Sequence, residues 1–486
     1  MKLKTSKGIT LIALIITIIV LLILAGVAVA SLTGENGLLN KAETAKETTA
    51  QKTAEEQVKL AIMASYNASG KIDLGELKEN LNNIEGVTEI TEEITDASFP
   101  LSVTVNGEEV KLNKAGETIT AESNETTTPT TPSESEPEPG TVKYYAKAAM
   151  PDGASIKAGT TKETGIVMVD SNENEWVWIE VPETVFTTAT TATDYDAIKA
   201  DLIAYATDYR EGQTGQGYSW SDEWYAKDGS TLVTASTEGL TDTQKALNNG
   251  CGLTYDEYNT AYQKMLNSIY TNKGFYISRY EAGIEGSDTD ISKKRTARTA
   301  ITSTSPKAVS KPDMIPYNYV YCSDAQTLAS SMATGSKTSS LMFGIQWDLV
   351  CKYLEVNGNW DTTTNTASYY IKTNSKSWGN YSNATFNIDS INAKKYSTWE
   401  SITGEKSGSV LLTTGASEYT NKMNIYDFAG NEYEWTLEHA TTNSSSPCAC
   451  RGGYYIYTGS DTPASSRSYG STTNSSFNIG FRCSLY

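Results

Sequence analysis

The chain has 486 residues, 38% of them hydrophobic, which is enough for more than one domain and for a sizeable core. A formal net charge of −19 repels polyanions and argues against any nucleic-acid partner. One histidine leaves little imidazole for acid–base or metal chemistry, while six cysteines, all in the second half, suit disulfides in an oxidising exterior with 15 pairings open.

Residues 1–7 carry Lys2, Lys4 and Lys7, and the run from Gly8 to Gly34 holds no charge. Such a run predicts a membrane-spanning helix over 9–34, with the lysines keeping the N-terminus inside and everything after Glu35 outside. Ala28-Val29-Ala30 would also suit a secretory cleavage site, although the apolar stretch is longer than the roughly 7–15 residues of that signal. On its basic leader (1–8) ending in Gly8, followed by Ile9-Thr10-Leu11-Ile12 and an unbroken apolar helix, the segment resembles a type IV prepilin. The resemblance implies a prepilin peptidase that cuts between Gly8 and Ile9, methylation of the new amine, and other pilins as partners. Where that family carries a glutamate five residues after the cut this chain has Ala13, which weighs against assembly into a filament.

Within 35–121, Ala54, Val58, Ala61 and Ile62 recur at helical spacing. Phe99 to Leu112 then alternates on both sides of Asn106-Gly107, the signature of a hairpin with a type I′ turn. Together they predict a pilin-like helix with a small hairpin head. Residues 122–141 contain no hydrophobic side chain and place Pro129, Pro132, Pro137 and Pro139 among Thr, Ser and Glu, an extended spacer. From 142 to 486 we expect one α+β domain with insertions near 187–250. Its strands are Gly165–Val169 and Glu175–Val181, and its helices cover 194–211, 254–270 and 340–356.

Four landmarks follow in order: GFYISRYEAG (274–283), SLMFGIQWDLVCKYL (340–354), NIYDFAGNEYEWT (424–436), and RGGYY with NIGFRC (451–455 and 478–483). Together they resemble the formylglycine-generating enzyme, or sulfatase-modifying factor, family, a variant of the C-type lectin fold. Gly430 reads as a tight turn, Trp435 as core, and Arg451 and Arg482 as structural ion pairs. The resemblance also implies a structural calcium on Asn431 and Glu434, and no other cofactor. It gives the enzymes a pair of redox cysteines between the last two motifs, yet Tyr454 to Phe481 holds none. Related iron oxygenases use several histidines, and His439 stands alone. No catalytic residue is therefore assigned, and Cys448-Ala449-Cys450 reads as a structural disulfide or buried thiols.

Between Arg451 and Arg482, 22 of 32 residues are Ser, Thr, Tyr, Asn or Gly and none is Lys or Glu, the chemistry of an adaptable binding surface. The segment resembles the variable region of retroelement-diversified proteins. Expected ligand contacts are Tyr454, Tyr455, Tyr457, Ser460, Asp461, Ser465, Ser466, Ser468, Tyr469, Ser471, Thr472, Asn474 and Ser475. The sequence thus reads as a recognition protein, single-pass in the membrane or part of a pilus, whose extracellular domain binds an unknown protein or glycan. Two alternatives stand beside it: a catalytic member of the sulfatase-modifying family, and a minor pilin with a structural head.

Overall fold

The computed structural model describes residues 140–486, apart from 211–218, 228–231, 234–238, 247–249 and 444. Ahead of these it describes 72–95, 98–99, 101–112 and 118–119, with scattered positions between 53 and 65. The leader, the apolar run and most of the proline-rich spacer lie outside the described residues. Among the described residues no helix is long and apolar enough to cross a membrane. The chain divides between Thr131 and Pro132 into two compact units.

In the first unit, helix α1 (Leu74–Asn82) starts at Asp73, whose carboxylate accepts the backbone N–H groups of Gly75 and Glu76 that the first turn leaves unpaired. Strands β1 (Leu101–Val105) and β2 (Glu108–Leu112) pair antiparallel across Asn106 and Gly107, at φ 52° and 93°, the positive angles a type I′ turn requires. A third strand, β3 (Thr118–Ile119), extends the sheet beside β2. Alternation in the hairpin puts Val103, Val105, Val110 and Leu112 on one face. That face joins Leu77 and Leu81 of α1, and Ala54, Val58, Ala61 and Ile62 pack into the same core.

The second unit is α+β and carries two main sheets beside several two-stranded pairs. The larger runs β9 (Ser339–Leu341), β14 (Cys483–Leu485), β8 (Gly274–Ser278), β6 (Glu175–Glu180), β5 (Val167–Val169) and β4 (Ser155–Ile156), with antiparallel neighbours throughout. In the other, β10 (Tyr433–Ala440) pairs antiparallel with β11 (Cys448–Arg451), parallel with β13 (Ile479–Phe481), and at its far end with β7 (Trp220–Ser221). Strand β12 (Arg467–Gly470) lies outside β11. The helices include α2 (Tyr195–Tyr205), α3 (Thr207–Arg210), α4 (Tyr255–Asn272), α5 (Cys322–Ser330) and α6 (Gly344–Asn357). One core, with Trp176, Trp178, Trp347 and Trp435 fully buried, underlies both sheets.

The expected helix over 340–356 is corrected at its start. Residues 339–341 are a strand paired to β14, and the helix begins at Gly344, where the Gln346 side chain accepts the Phe343 N–H. Asp222, from the insertion, accepts the N–H groups of Gly344 and Ile345 at 2.6 and 2.9 Å. A carboxylate at this end also favours the helix dipole.

Candidate ligand-binding face

The face is built on a buried charge cluster. All eight residues of β10 are buried, and Glu438 on that strand meets Asp348 of α6 around three guanidiniums. Arg451 reaches Glu438 at 3.0 Å and Asp348 at 2.8 Å. Arg467 reaches Glu438 at 3.1 Å and Asp348 at 2.8 Å. Arg210 of α3 contacts both carboxylates and binds Asp222 at 2.7 Å. Arg451 and Arg467 are direct cross-strand partners, a like-charged pair that would repel without the carboxylates between them. The cluster sets Arg210, Arg451 and Arg467 against Asp222, Asp348 and Glu438, so its formal charges cancel. Burial pushes the Glu438 carboxyl up, yet the charges of Arg467, Arg451 and Arg210 outweigh it and hold the group at about 2.

Beneath the other end of β10, Gly430 has φ 78°, and a Cβ there would stand 2.3 Å from the Asn380 carbonyl oxygen. Only glycine fits. Asn431 follows with φ 59°; its amide donates to Glu281 at 2.6 Å, and its oxygen accepts from Asn380 and from Leu412 N–H. Arg482 donates to both oxygens of Glu434 and to the carbonyls of Ser278 and Tyr426. The two expected calcium donors are thus committed elsewhere, so this pair does not fit a hard cation that needs open oxygens. Among the described residues no group of three or more His, Cys, Asp or Glu could hold a metal. Glu281 and Glu432 lie close by; burial pushes both carboxyls well above the usual range, with neighbouring carboxylates adding to it. Glu432 accepts from Asn318 at 2.7 Å through one oxygen, and its other oxygen is buried without a partner.

The segment 452–478 hangs on this frame mainly by its own backbone. Arg451 donates to the carbonyls of Ser465 and Ser466, and Trp347 to that of Ala464. Ser375 caps Ala464 N–H, Ser382 binds the Tyr457 carbonyl, and Asn318 binds that of Phe477. Gly453, at φ 77°, lets the chain pass where a Cβ would meet the Thr462 carbonyl at 2.3 Å. Apart from Arg467, which ties the segment to Glu438 and Asp348 from within, these donors come from outside it.

Aromatic rings collect on the surface of this segment. Tyr454 lies 5.0 Å from Tyr433 and 4.9 Å from Tyr457, and Tyr455 contacts both Tyr454 and Phe477. Tyr457, Ile456 and Phe477 are 45%, 41% and 37% exposed. Of the other expected contacts, Ser460 and Asp461 are exposed, while Ser468, Tyr469, Ser471, Thr472, Asn474 and Ser475 are half-buried. Two are corrected. Ser465 is fully buried, and the Ser466 hydroxyl is turned inward, because the carbonyls of both are drawn under the segment by Arg451. Ile456 and Phe477 share this surface but stand outside the expected set, since a composition argument built on polar residues passes over apolar ones.

The cysteines and the histidine lie beneath the surface, Cys450 directly across from Ser468. All six cysteines are buried. Cys448 and Cys450 lie two residues apart on one extended strand, about 6.8 Å between Cα atoms with side chains side by side. A disulfide needs Cβ atoms about 3.5–4.5 Å apart, so these two do not bridge each other, and both stand as buried thiols, one of the two readings expected of them. Burial pushes the Cys450 thiol up to about 12. His439 is buried against Tyr225 with ring centroids 4.3 Å apart, and burial lowers it to about 4.

No curated protein matches the chain. Among solved structures, Treponema denticola variable protein 1 aligns at 14% identity over 44% of this chain and 84% of its own, with a TM-score of 0.24. Residues 259–485, which carry the buried charge cluster apart from Arg210 and Asp222 and all of the aromatic surface, match the family described as the sulfatase-modifying factor enzyme 1-like domain.

Proposed function

We propose that this protein recognises an extracellular ligand through the aromatic surface of residues 454–477, displayed outside a bacterial cell by its N-terminal apolar segment. One observation carries the reading: half-exposed tyrosines lie together on a segment whose backbone is held by Arg467 and by donors outside it. Tyrosine offers rigid, amphipathic contact area at low entropic cost, and a pinned backbone lets side chains vary without unfolding. A binding role rather than catalysis is supported by the lack of cysteine from Tyr454 to Phe481 and by the burial of every thiol. Display rests on the lysine-flanked run from Gly8 to Gly34, with a prepilin peptidase, the membrane and other pilins as its partners.

The test replaces side chains by alanine in groups: Tyr454, Tyr455 and Tyr457; Ile456 and Phe477; Ser460 and Asp461; Ser468 and Tyr469; Ser471, Thr472, Asn474 and Ser475. Melting temperature and adherence of displaying cells to host or prey cells are measured together. The tyrosine group should lose at least about 30-fold in binding, the equivalent of about 2 kcal/mol, with an unchanged melting temperature. Adherence that survives all five groups in folded protein would place the binding surface elsewhere.

A further inference from the structure

The insertion does more than deliver Arg210 and Asp222 to the charge cluster. With α2 and the first half of α4 it lines a cavity of about 220 Å³, to which the segment 452–478 contributes no residue. Four aromatic side chains stand in its wall: Tyr195 at the start of α2, Trp224, and Tyr255 and Tyr262 on α4. Trp224 and Tyr255 meet edge to face, with ring centroids 5.5 Å apart and planes at 88°. The Trp224 ring N–H donates to the Leu253 carbonyl at 3.1 Å, and Tyr262 packs on Phe343 with centroids 5.0 Å apart, so these rings are held in place. Asp196 and Glu223 are exposed at the cavity, and Lys199, the one basic residue among its described lining, is paired with Glu223 at 3.3 Å.

We propose that this cavity binds a small organic cation, a trimethylammonium group of the choline kind. Such a group spreads its charge over methyls, so aromatic rings and nearby carboxylates hold it without an acceptor for every N–H. The charges of the lining favour it. Asp222 is spent on Arg210 and on the N–H groups of Gly344 and Ile345, which leaves Asp196 and Glu223 against Lys199, a net negative wall. An anion would find the one cation already taken. A sugar would need donors, yet the Asn259 amide N–H is given to the Tyr255 carbonyl at 2.9 Å and that of Trp224 to Leu253. The volume lies below the roughly 300–1,000 Å³ of sites for drug-sized ligands, which suits a headgroup and not an extended peptide. Apart from Asn259, Tyr262, Gln263 and Leu266, the lining precedes residues 259–485 that match the family, so the insertion supplies this cavity more than the shared fold does.

The full chain, purified in a nonionic detergent, is titrated with choline by calorimetry. Saturable binding is expected. It should weaken at least about 5-fold in Tyr255→Leu and in Asp196→Asn combined with Glu223→Gln, and tighten in Lys199→Gln, which removes the competing cation. Phosphocholine, titrated beside choline, identifies the source of the group: binding at least as tight assigns it to a phosphate-linked headgroup, and weaker binding to a free solute. Dimethylbutanol, the neutral carbon analogue of choline, should bind at least about 10-fold more weakly than choline. Equal binding of choline and this analogue, no saturable heat from choline at tens of millimolar, or one affinity in every variant would each overturn the assignment. So would weaker choline binding in Lys199→Gln. Should Tyr255→Leu fail to fold, the exchanges at Asp196, Lys199 and Glu223 decide the matter, since none of the three is buried.

Discussion

Glu432 and Glu438 stand on neighbouring stretches of one chain and titrate with opposite sign. The folded value of Glu438 lies below the ordinary 4.5, so the stability it contributes is present above that value and is lost as the pH falls toward about 2. Glu432 has a folded value raised above 4.5. Its contribution is therefore complete below 4.5 and is lost as the pH rises through the interval up to the folded value. Glu432→Gln keeps the shape and removes the titration. The variant should melt with the unsubstituted protein at pH 4 and above it at pH 7, by the equivalent of about 1–3 kcal/mol for one unpaired buried group. Equal melting temperatures at both pH values would show that the carboxyl is not held neutral by the fold.

At the scale of elements, β10 works as the beam on which the sheet and the charge cluster meet. Removing one partner from a buried ion cluster leaves the opposite charges uncompensated, a loss of about 3–5 kcal/mol. Arg451→Met should show a loss of that size in urea unfolding, and a change below about 1 kcal/mol would mean that Arg467 and Arg210 suffice alone. The hairpin of β1 and β2 was readable in the sequence because turn chemistry and alternation are local. So were Gly430 and Trp435, where one residue type answers a backbone angle or fills a core. Strand β9 was not readable, since its partner β14 lies more than 140 positions away and an apolar run ahead of a helix looks like more helix. Arg210 and Asp222 were passed over for a similar reason: two polar residues in an insertion give no local sign that they pair with α6 and β10. The burial of Ser465 was equally hidden, because composition does not say which serines an arginine pulls inward.

At the scale of the molecule, the chain divides into two compact units, and the prepilin-like processing proposed for its leader makes its own prediction. Mass spectrometry of the mature protein should find N-methyl-Ile9, and a start near Ser31 would point to secretory cleavage instead. The path of the last strands has a further consequence for synthesis. Strand β13 ends in the sheet of β10, Arg482 bridges to Glu434, and β14 then inserts between β8 and β9 in the other sheet. Neither sheet can close on the ribosome until translation has passed the aromatic segment. A frameshift or stop codon arising between Arg451 and Arg482 would leave β8 and β9 with bare edges, an invitation to proteolysis and aggregation. Closing either sheet thus requires that the last strands be made intact.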